Sequence, residues 1–330
     1  MKHVSILIPF GASSLSNIEG TWHILTEVNT ILKRMDRDPI FDVHFVGISA
    51  LSTQRNGLFT IQPDSLVSQV KKTDMIIIPA MHQDPREALR LNKEFIPWIQ
   101  EQYAKGAELI SYCIGAFFLA GTGLLDGKRC ATHWASVNEF RAMYPTVDVV
   151  DERILTEEEG IYTSGGAYSY LNLLLYLVEK YAGREVAIVV AKTFMIDIDK
   201  DSQSPFIMFQ GQKSHEDEPV RKAQEFIEQN FQDRVTVDQL ANMLALGRRS
   251  LERRFKKATS NTVTEYIQRV KIEVAKKSFE SSRKNISEVM YDVGYADIKA
   301  FRTIFRKVTG LSPIEYRNKY NKTAAAAAAV

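Results

Sequence analysis

The sequence predicts an α/β domain, with a parallel sheet covered by helices on both faces, followed by an all-α domain made of two helix-turn-helix units. Three observations carry that expectation. Short apolar runs alternate with amphipathic stretches over the first half, a stretch near the carboxyl terminus matches itself at an offset of 50, and the charge balance reverses between the halves. With 330 residues and 45% hydrophobic content, the chain exceeds the usual single-domain length and has material for two packed cores.

Taken in order, Val4 to Pro9, Asp42 to Gly47, Met75 to Pro79 and Glu108 to Tyr112 read as strands separated by helix-like segments. That alternation implies parallel strands joined by crossover helices, with function expected at the carboxyl ends of the strands. In ELISYCIGAFFLAGTGLL a strand ends at Cys113 and a helix begins, Gly115 and Ala116 being small enough for a sharp turn. A helix amino terminus there lowers a thiol pKa and makes Cys113 a candidate nucleophile. Neither a base nor an orienting carboxylate is evident beside it, so no catalytic residue is assigned. The same strand ends form a crevice whose expected walls are Asn17, Cys113, Ile114, Gly115, His133, Ser164 and Gly165. Helix starts after Cys113 and Gly166 are expected to offer free N–H groups to a carboxylate. Trp22 and Trp134 are the residues that would cage a quaternary amine.

From Asp197 to Pro219 the sequence is polar and weakly periodic. The boundary is expected near Lys213, giving domains 1–212 and 213–323, with Phe206 to Phe209 docked on a neighbour. The alanine-rich tail 324–330 is low complexity and is set aside.

In the second domain Phe255 falls on Phe305, Lys257 on Lys307, Thr259 on Thr309, Glu265 on Glu315 and Tyr266 on Tyr316 at the offset of 50. Leu240, Met243 and Leu251 fall on Met290, Val293 and Phe301. Thr236 with Gln239, and Asn285 with Glu288, have the N-cap to N3 spacing of a helix start. Leu246-Gly247 and Gly294-Tyr295 supply the turns. Second helices are expected from Arg248 to Ala258 and from Ile298 to Val308, the latter capped by Asp297 and ended by Gly310, with a longer helix from Val263 to Glu280 between the units.

Such a unit reads DNA by laying its second helix in the major groove while flanking cations hold phosphates. The charges agree. Residues 218–330 hold 22 Lys+Arg against 13 Asp+Glu, whereas 1–217 hold 20 against 27. Arg248, Arg249, Arg253 and Arg254 cluster on the first recognition helix around inward Leu251 and Phe255, and Lys299, Arg302 and Arg306 flank inward Phe301 and Phe305 on the second.

Segments 235–267 and 286–317 resemble the AraC/XylS DNA-binding domain, the second carrying a Gly-aromatic turn, Phe301-x-x-x-Phe305 and the run GLSPIEYR. By position the resemblance puts Arg249, Glu252 and Arg253, then Ile298, Lys299 and Arg302, at base-facing sites; Thr303 stands where many relatives carry arginine. The first domain resembles the class I glutamine-amidotransferase-like superfamily that includes PfpI-type proteins. SYCIGAFFLAGTGLLDGKRCATHW at 111–134, TSGGAYSYLNLLLYLVEKYAG at 163–183 and DSQSPF at 201–206 extend the resemblance to GlxA-type regulators. PfpI-type hydrolases place a histidine after the cysteine, where this chain has Ile114, and an acidic residue after the first strand, where it has Asn17. The resemblance therefore implies a sensor or dimerisation domain that has lost catalysis, with amino acids or betaine-like compounds as small nitrogenous effectors.

The expected protein is a cytoplasmic homodimeric regulator on double-stranded operator DNA, not an enzyme, with no cofactor or metal, and with RNA polymerase as a partner if it activates. The start MKHVSILIPF lacks a signal-peptide cleavage pattern, and no apolar run is long enough to span a membrane. Cys113 and Cys130 are too few and wrongly spaced for a disulfide framework or a zinc knuckle. Two other readings stay open at this point: a cysteine-dependent hydrolase or amidase using Cys113 with an appended DNA-targeting module, and a nucleoid-type binder without sequence preference.

Overall fold

A computed structural model describes residues 1–198, 200–213 and 215–321. The chain divides into two compact units, Met1–Gln203 and a second beginning at Ser204, so the connector ahead of Lys213 groups with the helical unit. The tail 324–330 lies outside the described residues. Among the described residues no helix is long and apolar enough to cross a membrane.

The first unit interleaves β1 (Lys2–Ile8), β2 (Phe41–Gly47), β3 (Ser52–Gln54), β4 (Phe59–Ile61), β5 (Ser65–Leu66), β6 (Met75–Ile78), β7 (Glu108–Tyr112), β8 (Arg129–Cys130), β9 (Asp148–Val149), β10 (Leu155–Glu158) and β11 (Ile161–Ser164) with seven helices. These are α1 (Leu15–Arg34), α2 (Pro85–Leu91), α3 (Phe95–Ala104), α4 (Gly115–Ala120), α5 (Val137–Met143), α6 (Tyr170–Ala182) and α7 (Arg184–Thr193). One sheet runs in the order β10-β11-β7-β6-β1-β2-β5. Its neighbours are parallel except for the antiparallel edge of β10 on β11.

Side chains alternate across this sheet as strand geometry requires. Val4, Ile6 and Ile8, with Met75, Ile77, Ile110 and Tyr112, pack against α1, α6 and α7; Leu7, Ile76, Ile78 and Leu109 pack on the other side against α3, α4 and α5. Cover on both faces is why the central strands read as unbroken apolar runs. Strand order reverses between β1 and β6, which opens a crevice at the carboxyl ends there.

The second unit holds α8 (Glu218–Gln229), α9 (Val237–Met243), α10 (Arg248–Thr259), α11 (Val263–Ser281), α12 (Ile286–Asp292), α13 (Ile298–Thr309) and α14 (Pro313–Tyr320). It has two cores. Ile227, Leu240, Leu251 and Phe255 gather Val263, Tyr266 and Val270 of α11, while Val289, Met290, Phe301 and Phe305 gather its Ile272, Ala275 and Phe279. At about 100° of helix per residue, the step from Val270 to Ile272 turns the inward side by about 200°, so each helix pair packs on its own face of α11.

The repeat has a register break that the offset of 50 conceals. Leu240 and Ala241 in α9 are buried like Val289 and Met290 in α12, an offset of 49, whereas Leu251 and Phe301 keep the offset of 50. Met243 and Val293, which the offset of 50 pairs, are not equivalent in the structure, since Met243 is 45% exposed and Val293 is fully buried. The second turn carries the extra residue. Ala245 (φ 51) and Gly294 (φ 73) are the matching left-handed positions, and Gly247 is instead the extended N-cap of α10.

The connector docks on its own unit, as its apolar content suggested. The Phe209 ring meets Tyr266 edge-on at 5.1 Å, and Lys276 donates to the Ile207 carbonyl at 2.5 Å and to Glu273 at 2.7 Å. Glu273 Oε2, which accepts from Lys276, also accepts from the Phe209 N–H at 3.1 Å, so the nearly buried ion pair ties the connector to α11.

Candidate nucleic-acid interface and the crevice of the first unit

Caps and buried stripes orient the two recognition helices. Asp297 accepts from the N–H groups of Lys299 (2.6 Å) and Ala300 (3.2 Å) at the start of α13, and left-handed Ser260 and Gly310 end α10 and α13. Leu251, Phe255 and Thr259 point inward from α10, and Phe301, Phe305 and Thr309 from α13. Arg249 and Arg253 on α10, and Lys299, Arg302 and Arg306 on α13, are exposed; Glu252 and Ile298 are half-buried beside them.

Two of the expected DNA contacts have their charge committed within the domain. Arg254 makes a bidentate pair with Asp217 (2.8 and 2.9 Å), and Asp217 also caps α8 through the Val220 N–H, so Arg254 ties α10 to α8. The guanidinium holds the Asp217 carboxyl below its usual range. Arg248 bridges Asp238 (3.0 Å) and Glu252 (3.3 Å) at the surface. Thr303 donates back to the Lys299 carbonyl at 2.9 Å, which occupies its hydroxyl within α13.

In the first unit Cys113 has φ 54, the left-handed elbow between β7 and α4. Gly115 permits the bend: a Cβ there would lie 2.6 Å from the Pro79 carbonyl oxygen. The expected thiol activation is corrected. Cys113 is buried, and burial pushes its pKa up to about 11 against a smaller lowering from the Ile114 backbone. Asn17, also buried, accepts from the Ala80 N–H at 3.2 Å and so serves the backbone. His133 accepts the Ala135 N–H on Nδ1 at 3.1 Å, and burial followed by nearby His82 lowers its pKa.

The Gly166 N–H, expected to be free, is taken by Gln203 Oε1 at 3.1 Å. Gln203 also donates to the carbonyls of Thr132 (3.1 Å) and Arg153 (3.2 Å), and a Cβ on Gly165 would lie 2.7 Å from its oxygen. Sequence reasoning missed Gln203 as a crevice residue, although it lies in the quoted DSQSPF segment. Ser164 is buried, and its hydroxyl, like that of Ser13, has no hydrogen-bond partner among the described residues. The open space lies beside the elbow, in a cavity of about 280 Å³ walled by Met81, His82, Ile114, Phe117, Ser136 and Glu139. Of the seven expected wall residues only Ile114 reaches that cavity. Trp22 neighbours Phe45 and Trp134 neighbours His133, so the two tryptophans keep separate company.

Residues 25–180 match the DJ-1/PfpI family, and residues 240–319 match the family described as a helix-turn-helix domain. The chain joins a DJ-1/PfpI domain to an AraC-type helix-turn-helix domain. The HTH-type transcriptional regulator GbdR of Pseudomonas aeruginosa is 24% identical over 78% of this chain and 69% of its own length. The isonitrile hydratase of Pseudomonas putida is 25% identical over 46% of this chain and 64% of its own length. A crystal structure of an AraC family transcriptional regulator from Pseudomonas putida, 17% identical, covers 59% of this chain and 100% of that one with a TM-score of 0.51, which is a likeness of fold. The helix-turn-helix domain makes this chain a DNA-binding transcription regulator. Its DJ-1/PfpI domain keeps the elbow at Cys113, yet among the described residues no imidazole hydrogen-bonds the sulfur.

That protonated thiol has a testable signature. In a Cys130→Ser background, alkylation of Cys113 should be slow at neutral pH and rise about tenfold per pH unit through pH 9, because only the thiolate reacts. A rate already on its plateau at pH 7 would revive the nucleophile.

Proposed function

We propose that the chain binds operator DNA with α10 and α13 in successive major grooves and that its DJ-1/PfpI domain serves regulation without catalysis. The observation that carries the reading is the pair of exposed cationic faces, Arg249 and Arg253 on α10 and Lys299, Arg302 and Arg306 on α13, each backed by a buried phenylalanine stripe. Glu252 and Ile298 complete the base-facing sets; Arg248 and Arg254 brace the helices from within the domain. Base contacts specify and phosphate contacts position.

The effector in this reading is a small nitrogenous metabolite, an amino acid or a betaine-like compound, held in the cavity beside the elbow. Neutral His82, the carboxylate of Glu139 and the Ser136 hydroxyl on its wall suit an ammonium-bearing ligand. The buried thiol at Cys113, to which no histidine among the described residues hydrogen-bonds, favours binding over turnover. The regulator acts in the cytoplasm as a homodimer, and RNA polymerase is its partner where the outcome is activation.

Selection of duplexes from a random pool by the intact chain, followed by anisotropy titration, tests the reading. Arg253→Ala and Arg302→Ala should each cost about 1–3 kcal/mol on the selected duplex and far less on random DNA. Equal losses on both would make the residue a phosphate contact, and no preferred duplex at all would leave the nucleoid-type binder.

A further inference from the structure

A second cavity, of about 360 Å³, lies within the helix-turn-helix domain and is not accounted for by the recognition helices. Its wall includes Thr236, Arg248, Thr264, Gln268, Lys271 and Tyr295. Arg248 is the first residue of α10, and Tyr295 stands just ahead of α13. The cavity therefore opens between the amino ends of the two recognition helices, the ends that approach base edges when such helices enter a major groove.

Lys271 is the unusual member of this wall. It is 7% exposed, on the middle of α11. Its ammonium donates to the carbonyls of Asp233 and Gly294, both at 3.3 Å, and stands 5.4 Å from the centre of the Tyr295 ring. An ammonium has three donors, and the two long bonds to carbonyls leave one unspent. Among the described residues no carboxylate pairs with Lys271 within 4.0 Å, and burial lowers its pKa with only a partial counter from Asp233. The one carboxylate on the cavity wall, Asp238, is already matched by Arg248 at 3.0 Å. One nearly buried positive charge, with no carboxylate of the described residues in ion-pair contact, thus remains on a cavity of mixed polar and apolar lining between the two helix starts.

We infer that this cavity receives a phosphate of the DNA backbone where the strand crosses between the two grooves, with Lys271 as its ion-pair partner. The inference rests on the operator-binding reading and adds a contact from the helix that joins the two units. Thr236, Thr264 and Gln268 supply neutral donors around the same space. The phosphate completes the lysine's third hydrogen bond and supplies the negative charge that the protein withholds.

The test uses the intact chain and a duplex selected by it from a random pool, with affinity measured against salt. Each neutralised phosphate adds about 0.9 to the slope of log K against log salt. Lys271→Met should lower the slope by about 1, and Lys271→Arg should restore it. In parallel, uncharged methylphosphonates are walked through the segment between the two contacted grooves. The unaltered chain should lose affinity at one or two positions to which Lys271→Met is indifferent. A lowered melting temperature for Lys271→Met with an unchanged slope would overturn the proposal and make the lysine a bolt between the units. The methylphosphonate walk needs no variant, so an unaltered chain insensitive at every position in that segment overturns it as well. An unaltered chain that binds no duplex would instead remove the operator reading beneath it.

Discussion

Gly294→Ala should cost about 3 kcal/mol or more and release the second helix-turn-helix unit, read as a lower urea midpoint for the helical domain. Gly294 has φ +73, and a Cβ there would lie 2.0 Å from the Gln232 carbonyl oxygen and 2.7 Å from the Lys271 ammonium. The first of these is backbone, which cannot rotate away, so left-handed strain and overlap add. Ala245, with φ 51 at the matching turn of the first unit, gives the control. A side chain in that conformation is itself disfavoured, so Ala245→Gly should hold or gain up to about 1 kcal/mol. A Gly294→Ala protein melting within experimental error of the unaltered chain would show that the turn is not packed as described.

Phe305→Ala should cost about 3–5 kcal/mol, the range for emptying a buried aromatic site. Phe305 is fully buried, with Phe279 at 5.6 Å, Phe301 at 5.7 Å and Tyr316 at 5.5 Å between ring centres. Removing it takes away the surface that seats α13, so affinity for the selected duplex should fall with stability. Phe255→Ala, its repeat partner, should do the same to α10 through Tyr266 at 5.3 Å. If either variant kept full affinity at a temperature where it remains folded, its helix would not be an anchor for DNA.

Much of the helical domain could be read from residues alone because its signals are local. Capping residues, the turn glycine and phenylalanines four apart fixed α10, α11 and α13 to within a residue or so of their observed ends. The register break was hidden because one added residue in a turn leaves the later pairs aligned and blurs only α9 against α12. In the first unit, strands buried on both faces announced themselves as apolar runs, while β5, β10 and β11 are short or polar and were not distinguished. The crevice was the least legible part. Whether a helix start or burial controls the Cys113 thiol depends on what covers it, and the Gly166 N–H is met by Gln203, 37 residues away in sequence. Periodicity cannot report such a contact. Arg254 shows the same limit, since its pairing with Asp217 spans 37 residues in sequence.

Because α11 offers one side to each helix pair, its residue count works as a ruler. One residue added between Val270 and Ile272 would swing one recognition helix by about 100° and shift it by about 1.5 Å. Substitutions on the solvent side of this rod can accumulate while the phase between α10 and α13 is kept, but a change of length cannot be absorbed, and in the proposed operator complex the spacing of the two contacted grooves follows from that rod.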